Sequence, residues 1–96
     1  MTSFTTRILL QGNPPEAEYE RLHVAMTQKN FSRTIESNEG IQYKLPHAEY
    51  NISGIYTKSQ VLDFAKAAVR ASVSNRVAQI LVTESAGRTW SNLELI

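Results

Sequence analysis

Twice along this 96-residue chain the apolar residues switch from every second position to the spacing of a helix and back. Each switch is marked by residues that break the preceding element. Few folds accept that order. "SFTTRILLQ", Ser3 to Gln11, alternates and then closes on the apolar trio Ile8, Leu9 and Leu10, as a central strand does, before "GNPP" stops it. Pro14 and Pro15 suit a first helical turn, Asn13 can cap it, and Glu16 and Glu18 suit its positive end. A helix from about Pro15 to Lys29 is therefore predicted, its apolar face made of Tyr19, Leu22, Ala25 and Met26.

The next stretch, "FSRTIE", places Phe31, Arg33 and Ile35 on one side and Ser32, Thr34 and Glu36 on the other, the period of a half-buried strand. "SNEG" turns the chain at Gly40, a residue free to take positive φ, and Ile41, Tyr43 and Leu45 alternate up to Pro46. Tyr50 and Ile52 resume the pattern, so the expectation is one long hairpin interrupted at "LPHA". From Thr57 or Ser59, either a possible cap, Val61, Leu62, Ala65, Ala68, Val69 and Val73 describe a second helix that alanines let lie close to a sheet. "RVAQILVTES" reads as a last strand. Strand, helix, strand, strand, helix, strand, joined by right-handed crossovers, predicts an α+β fold. It is the ferredoxin-like βαββαβ sandwich, a four-stranded antiparallel sheet with two helices on one face. Residues 1–86 form that domain. Residues 87–96, "GRTWSNLELI", form a tail whose Trp90, Leu93 and Leu95 alternate, an extra edge strand in prospect and a route to a homodimer as alternative to a monomer.

Composition narrows the function classes. With 42% hydrophobic and 20% charged residues, three prolines and four glycines, the chain belongs with ordinary globular proteins. No cysteine is present, which excludes disulfides, thiolate metal sites and cysteine nucleophiles. The N-terminus has no basic region followed by a long apolar run, and nowhere is there a run of roughly 20 apolar residues, so neither a signal peptide nor a membrane partner is expected and the cytoplasm is the simplest location. A net charge of +1 rules against a broad basic clamp on many phosphates. There is no Gly-rich phosphate loop, no G-x-S-x-G elbow and no H-E-x-x-H helix, and the two histidines lack neighbouring acidic pairs, so no cofactor and no metal is expected. The strands "TRILLQ" and "RVAQILV" lack the stacking aromatics of an RNA-recognition motif.

Within "RLHVAMTQKNFSRTIESNEGIQYKL", Arg21, Leu22 and Met26 on the helix, "NFS" at Asn30 to Ser32, Ile35, Gly40, Ile41 and Leu45 form a pattern that resembles the GhoS-like antitoxins of type V toxin-antitoxin systems. The likeness covers the first helix and the hairpin, roughly a third of the chain. It implies a ferredoxin-like protein akin to small CRISPR-associated nucleases, an endoribonuclease whose partner is RNA, the messenger of a membrane toxin. Where that family has a basic residue after the "RL" pair, His23 stands here. The acidic residue that closes the first strand in the CRISPR relatives has no counterpart in "LLQGN", so metal-dependent cleavage is not supported.

RNA cleavage without a metal needs a base for the 2′-hydroxyl proton, an acid for the departing 5′ oxygen, and cations or donors around the phosphorus. His23 and His47 are the candidates for proton transfer. His23 lies on the flank of the first helix, either as this kind of group or as a half-buried histidine bonded near Glu20 or Glu16. The nucleic-acid-binding candidates are Arg21, Arg33, Tyr43 and Lys44. Arg21 is either a solvated partner of Glu18 or a phosphate contact. Arg33 either snorkels from a buried strand face or lies where the helices leave the sheet uncovered. Tyr43, Lys44 and His47 lie on an arm that Pro46 keeps irregular, an edge loop of incidental polarity or a place for an aromatic to stack a base beside a cation. Two other functions fit the same residues: an RNA-binding module without catalysis, and a ferredoxin-like regulator acting through protein contacts.

Overall fold

The computed structural model describes residues 2–95; Met1 and Ile96, the ends of the two predicted segments, lie outside the described residues. Seven elements follow one another: β1 (Thr2–Leu10), α1 (Glu16–Gln28), β2 (Thr34–Glu36), β3 (Gln42–Lys44), β4 (Glu49–Gly54), α2 (Lys58–Ser72) and β5 (Ala78–Ser85). The fold is α+β. β1 is central, antiparallel to β4 on one side and β5 on the other, with Phe4 opposite Ile52 and Glu84, and Ile8 opposite Ile80.

The alternation of β1 sorts its side chains. Phe4, Thr6, Ile8 and Leu10 are buried, and they join Tyr50 and Ile52 of β4 beneath Leu22 and Met26 of α1 and Val61, Ala65 and Ala68 of α2, so both helices cover one face. Arg7 and Leu9 point to the opposite, open face. There Arg88 of the tail reaches across the sheet, bonding Thr5 Oγ1 at 2.9 Å and Asn51 Oδ1.

The expected four-stranded sheet is not continuous. β4, β1 and β5 form a three-stranded sheet, while β2 and β3 form a separate two-stranded one. Among the described residues a single bridge, between Ser32 and Asn51, joins them, each backbone N–H donating to the other's carbonyl at 2.7 Å. The reason lies one residue on: the Arg33 carbonyl accepts from Leu45 N–H at 2.8 Å, so the chain after Ser32 turns to β3 instead of continuing along β4. The predicted strand from Phe31 to Glu36 accordingly shortens to three residues. Phe31 belongs to the main core while Ile35 is buried apart from it, opposite Tyr43, and Arg33 between them is exposed. Gly40 does take a positive φ of 82° in the turn.

Helix boundaries also differ in detail. Asn13 does not cap α1; it sits at φ 54°, and Pro15 occupies the N-cap without a side-chain bond. Thr57 caps α2 in a reciprocal box, its side chain accepting from Gln60 N–H at 3.1 Å while Gln60 Oε1 accepts from Thr57 N–H at 2.8 Å. Glu18 is not Arg21's partner: Arg76 grips it with Nε and Nη2 at 2.7 and 2.8 Å and also bonds the Gly12 carbonyl, tying the α1 entrance to the loop before β5. That bidentate bond holds the Glu18 carboxyl below its ordinary range.

One buried polar atom, Thr6 Oγ1, has no hydrogen-bond partner among the described residues. An unpaired buried hydroxyl costs about 1–3 kcal/mol, and valine has nearly the same shape. Thr6→Val is expected to raise the free energy of unfolding by about 1 kcal/mol, read from urea melts. A loss of stability instead would mean that the hydroxyl has a partner in solution.

Candidate functional site

Four rings meet where α1 passes over the end of β4. Tyr19 and His23 are one turn apart on α1, which places both on the flank facing the sheet. Tyr50 comes from β4, and His47 from the turn before it. That turn is closed by Glu49 N–H donating to the Pro46 carbonyl at 3.1 Å. Ala48 within it has φ 67°, a left-handed conformation that costs an L-residue about 1 kcal/mol. It is held by Ile8 N–H donating to the Ala48 carbonyl at 3.0 Å. Burying the Ala48 methyl inward leaves His47 outward, exposed beside the sheet.

The rings contact one another closely. His47 packs on Tyr19 with centroids 4.6 Å apart and stands at 89° to His23 with centroids 5.6 Å apart. Tyr19 is itself anchored, its hydroxyl accepting from Leu10 N–H at 3.0 Å. His23 Nδ1 and the Tyr50 hydroxyl are 2.6 Å apart, so the sequence-based alternative of a bond near Glu16 or Glu20 gives way to a tyrosine partner. His23 is only 6% exposed. Burial, with the Arg33 guanidinium a smaller cause, lowers its pKa from the ordinary value, and burial likewise pushes the Tyr50 hydroxyl well above its own. Both groups are neutral near pH 7.

Two shallow grooves flank the rings. One, of about 320 Å³, is lined by His23, Val24, Thr27, Gln28 and Arg33; the other, of about 450 Å³, by Arg33, Lys44, Pro46, His47 and Glu94 among others. Arg33 is common to both. Its side chain is exposed and does not lie in the core with Phe31 and Ile35.

Three further candidates are placed differently. Lys44 is at the rim, 3.7 Å from Glu94, in an ion pair so exposed that it contributes little. Tyr43 packs edge-on against Trp90 with centroids 5.3 Å apart and pairs with Leu95, so its ring is engaged by the tail instead of presented on an irregular arm. Arg21 lies elsewhere, its Nε donating to the Ser72 carbonyl at 3.3 Å between the helices. It takes no part in the rim. Sequence reasoning missed Tyr19 and Tyr50 as site residues because both occupy apolar-pattern positions; the signal was a hydroxyl on a core position, which requires a polar neighbour.

Among the described residues no cluster of three or more His, Cys, Asp or Glu side chains could hold a metal ion, and no helix is long and apolar enough to cross a membrane. What the fold and rim define is a small α+β protein with a histidine and tyrosine cluster bordered by cations. In comparisons with known proteins, no family model matches the chain and no curated protein matches it significantly.

Proposed function

We propose that this protein is a metal-independent endoribonuclease, a GhoS-like antitoxin that cuts the messenger of its toxin in single-stranded regions. The observation that carries the reading is the approach of His23 and His47 to 5.6 Å with Arg33 lining the groove beside each. A phosphodiester on Arg33 would lie at the edge of the imidazole pair. The 2′ oxygen gives up its proton and bonds to phosphorus, the bond from phosphorus to the 5′ oxygen breaks, and that oxygen leaves protonated. The imidazole pair takes up the 2′-hydroxyl proton and stabilises the developing charge, and Arg33 and Lys44 hold the phosphate oxygens.

The arrangement of strands supports a ferredoxin-like reading. With the Ser32 bridge counted, the order β5-β1-β4-β2 is that of a βαββαβ sandwich whose second hairpin arm has been split at "LPHA". β3 and the tail then form an appendage that frames the groove.

The test is incubation of the purified protein with end-labelled toxin-operon RNA in EDTA. Fragments ending in a 2′,3′-cyclic phosphate are expected, together with a shallow salt dependence of binding, about −1.4 in log–log slope for two phosphate contacts on a single strand. A shifted but intact RNA would replace catalysis by occlusion, and no binding even at low salt would leave a role through protein contacts.

A further inference from the structure

The geometry points to Tyr50 as a positioning residue that locks His23 in its Nε2–H form, making His23 a hydrogen-bond donor to the phosphate and leaving His47 as the only histidine that transfers a proton. The functional half of this statement rests on the nuclease reading; the structural half does not.

A hydroxyl and an imidazole nitrogen 2.6 Å apart share one proton in one of two ways. Nδ1–H donates to the tyrosine oxygen, or the tyrosine O–H donates to a bare Nδ1. Tyr50 is completely buried, and His23 Nδ1 is the only hydrogen-bond partner of its hydroxyl among the described residues. Were Nδ1 the donor, the tyrosine proton would be buried with no acceptor, which costs about 1–3 kcal/mol. With Tyr50 donating, both Nδ1 and the tyrosine hydroxyl are satisfied. The ring proton of neutral His23 then resides on Nε2, which has no hydrogen-bond partner among the described residues, on a ring that lines the groove with Arg33. A neutral Nε2–H gives a hydrogen bond and accepts no proton.

The groups facing this ring agree with a neutral donor. Glu16, Glu20 and Tyr19 approach from α1, Arg33 from the chain before β2, His47 from the turn before β4, and Tyr50 from β4. Burial outweighs the two carboxylates, so the charged form is disfavoured. In the reaction His47 takes the 2′-hydroxyl proton as the new oxygen–phosphorus bond forms. Arg33 and His23 Nε2–H hold the phosphoryl oxygens, and the departing 5′ oxygen takes its proton from solvent water.

Two measurements decide the point. Long-range ¹H–¹⁵N spectra of the wild-type protein at pH 7.5 are expected to show His23 protonated at Nε2 and bare at Nδ1; protonation at Nδ1 would overturn the proposal whether or not RNA is cut. In Tyr50→Phe, which keeps the ring in the core, the single tautomer is expected to give way to a mixture of both, and an unchanged tautomer would remove Tyr50 from the role. For the catalytic half, His23→Gln, whose amide can still donate, is expected to retain cleavage at least tenfold above His23→Ala, since a lost donor lowers such rates by about 10²- to 10³-fold. Equal losses in Gln and Ala variants, with the wild-type tautomer as expected, would overturn only the donor function. Failure of the nuclease reading would instead appear as no cleavage by any form.

Discussion

His47→Ala is expected to lower the single-turnover rate of RNA cleavage by about 10²- to 10⁴-fold, the contribution of one positioned proton-transfer group, while RNA affinity stays within about twofold. The expectation comes from placement. His47 is exposed in a turn whose backbone is fixed by bonds from Ile8 and Glu49, and its ring rests on Tyr19 without entering the core. Truncating it leaves no cavity, so folding should be disturbed by no more than about 0.5 kcal/mol. The proposed phosphate contacts are Arg33, Lys44 and His23, none of which the substitution removes. A rapid-quench assay at saturating protein reads the chemical step directly, and a wild-type rate from the alanine variant would show that the rim does not perform the chemistry.

Phe4→Ala is expected to cost about 3–5 kcal/mol of folding free energy, from a total that for a domain of this size is about 5–15 kcal/mol. Phe4 stands at the centre of the three-stranded sheet, paired with Ile52 and Glu84, and none of its surface is accessible. Both helices and both neighbouring strands contribute to the cluster it belongs to. Urea denaturation followed by circular dichroism measures the loss. A change below about 1 kcal/mol would mean that the two helices do not close over this face as described. Thr6, on the same strand and face, is the opposite case, where removing a polar atom should strengthen the core.

Much of this fold was legible because period and punctuation agree locally. The β1 alternation, the α1 face through Leu22 and Met26, the Thr57 cap and the Gly40 turn each depend on residues a few positions apart. The interruption at "LPHA" was legible for the same reason, since Pro46 cannot serve a ladder. Continuity of the sheet was not. Whether the chain past Ser32 follows β4 or β3 depends on competing hydrogen bonds from Asn51 and Leu45, residues distant in sequence, and Phe31 and Ile35 satisfy the apolar pattern either way. Glu18 is a similar case: helical spacing offered Arg21 as its neighbour, whereas the bidentate geometry of Arg76, from the other end of the chain, prevailed.

The sequence alone determined the order and approximate place of the elements and which side chains carry proton-handling or cationic groups, because those properties belong to single residues and to spacings within one turn or one strand. Only the tertiary structure decided that His23 and His47 meet, that Arg33 borders both while Arg21 does not, and that Tyr50 is the partner of His23. Contacts between α1, the turn before β4 and β4 itself arise when their apolar faces close on one core, and no local period encodes which polar groups that closure carries to its edge.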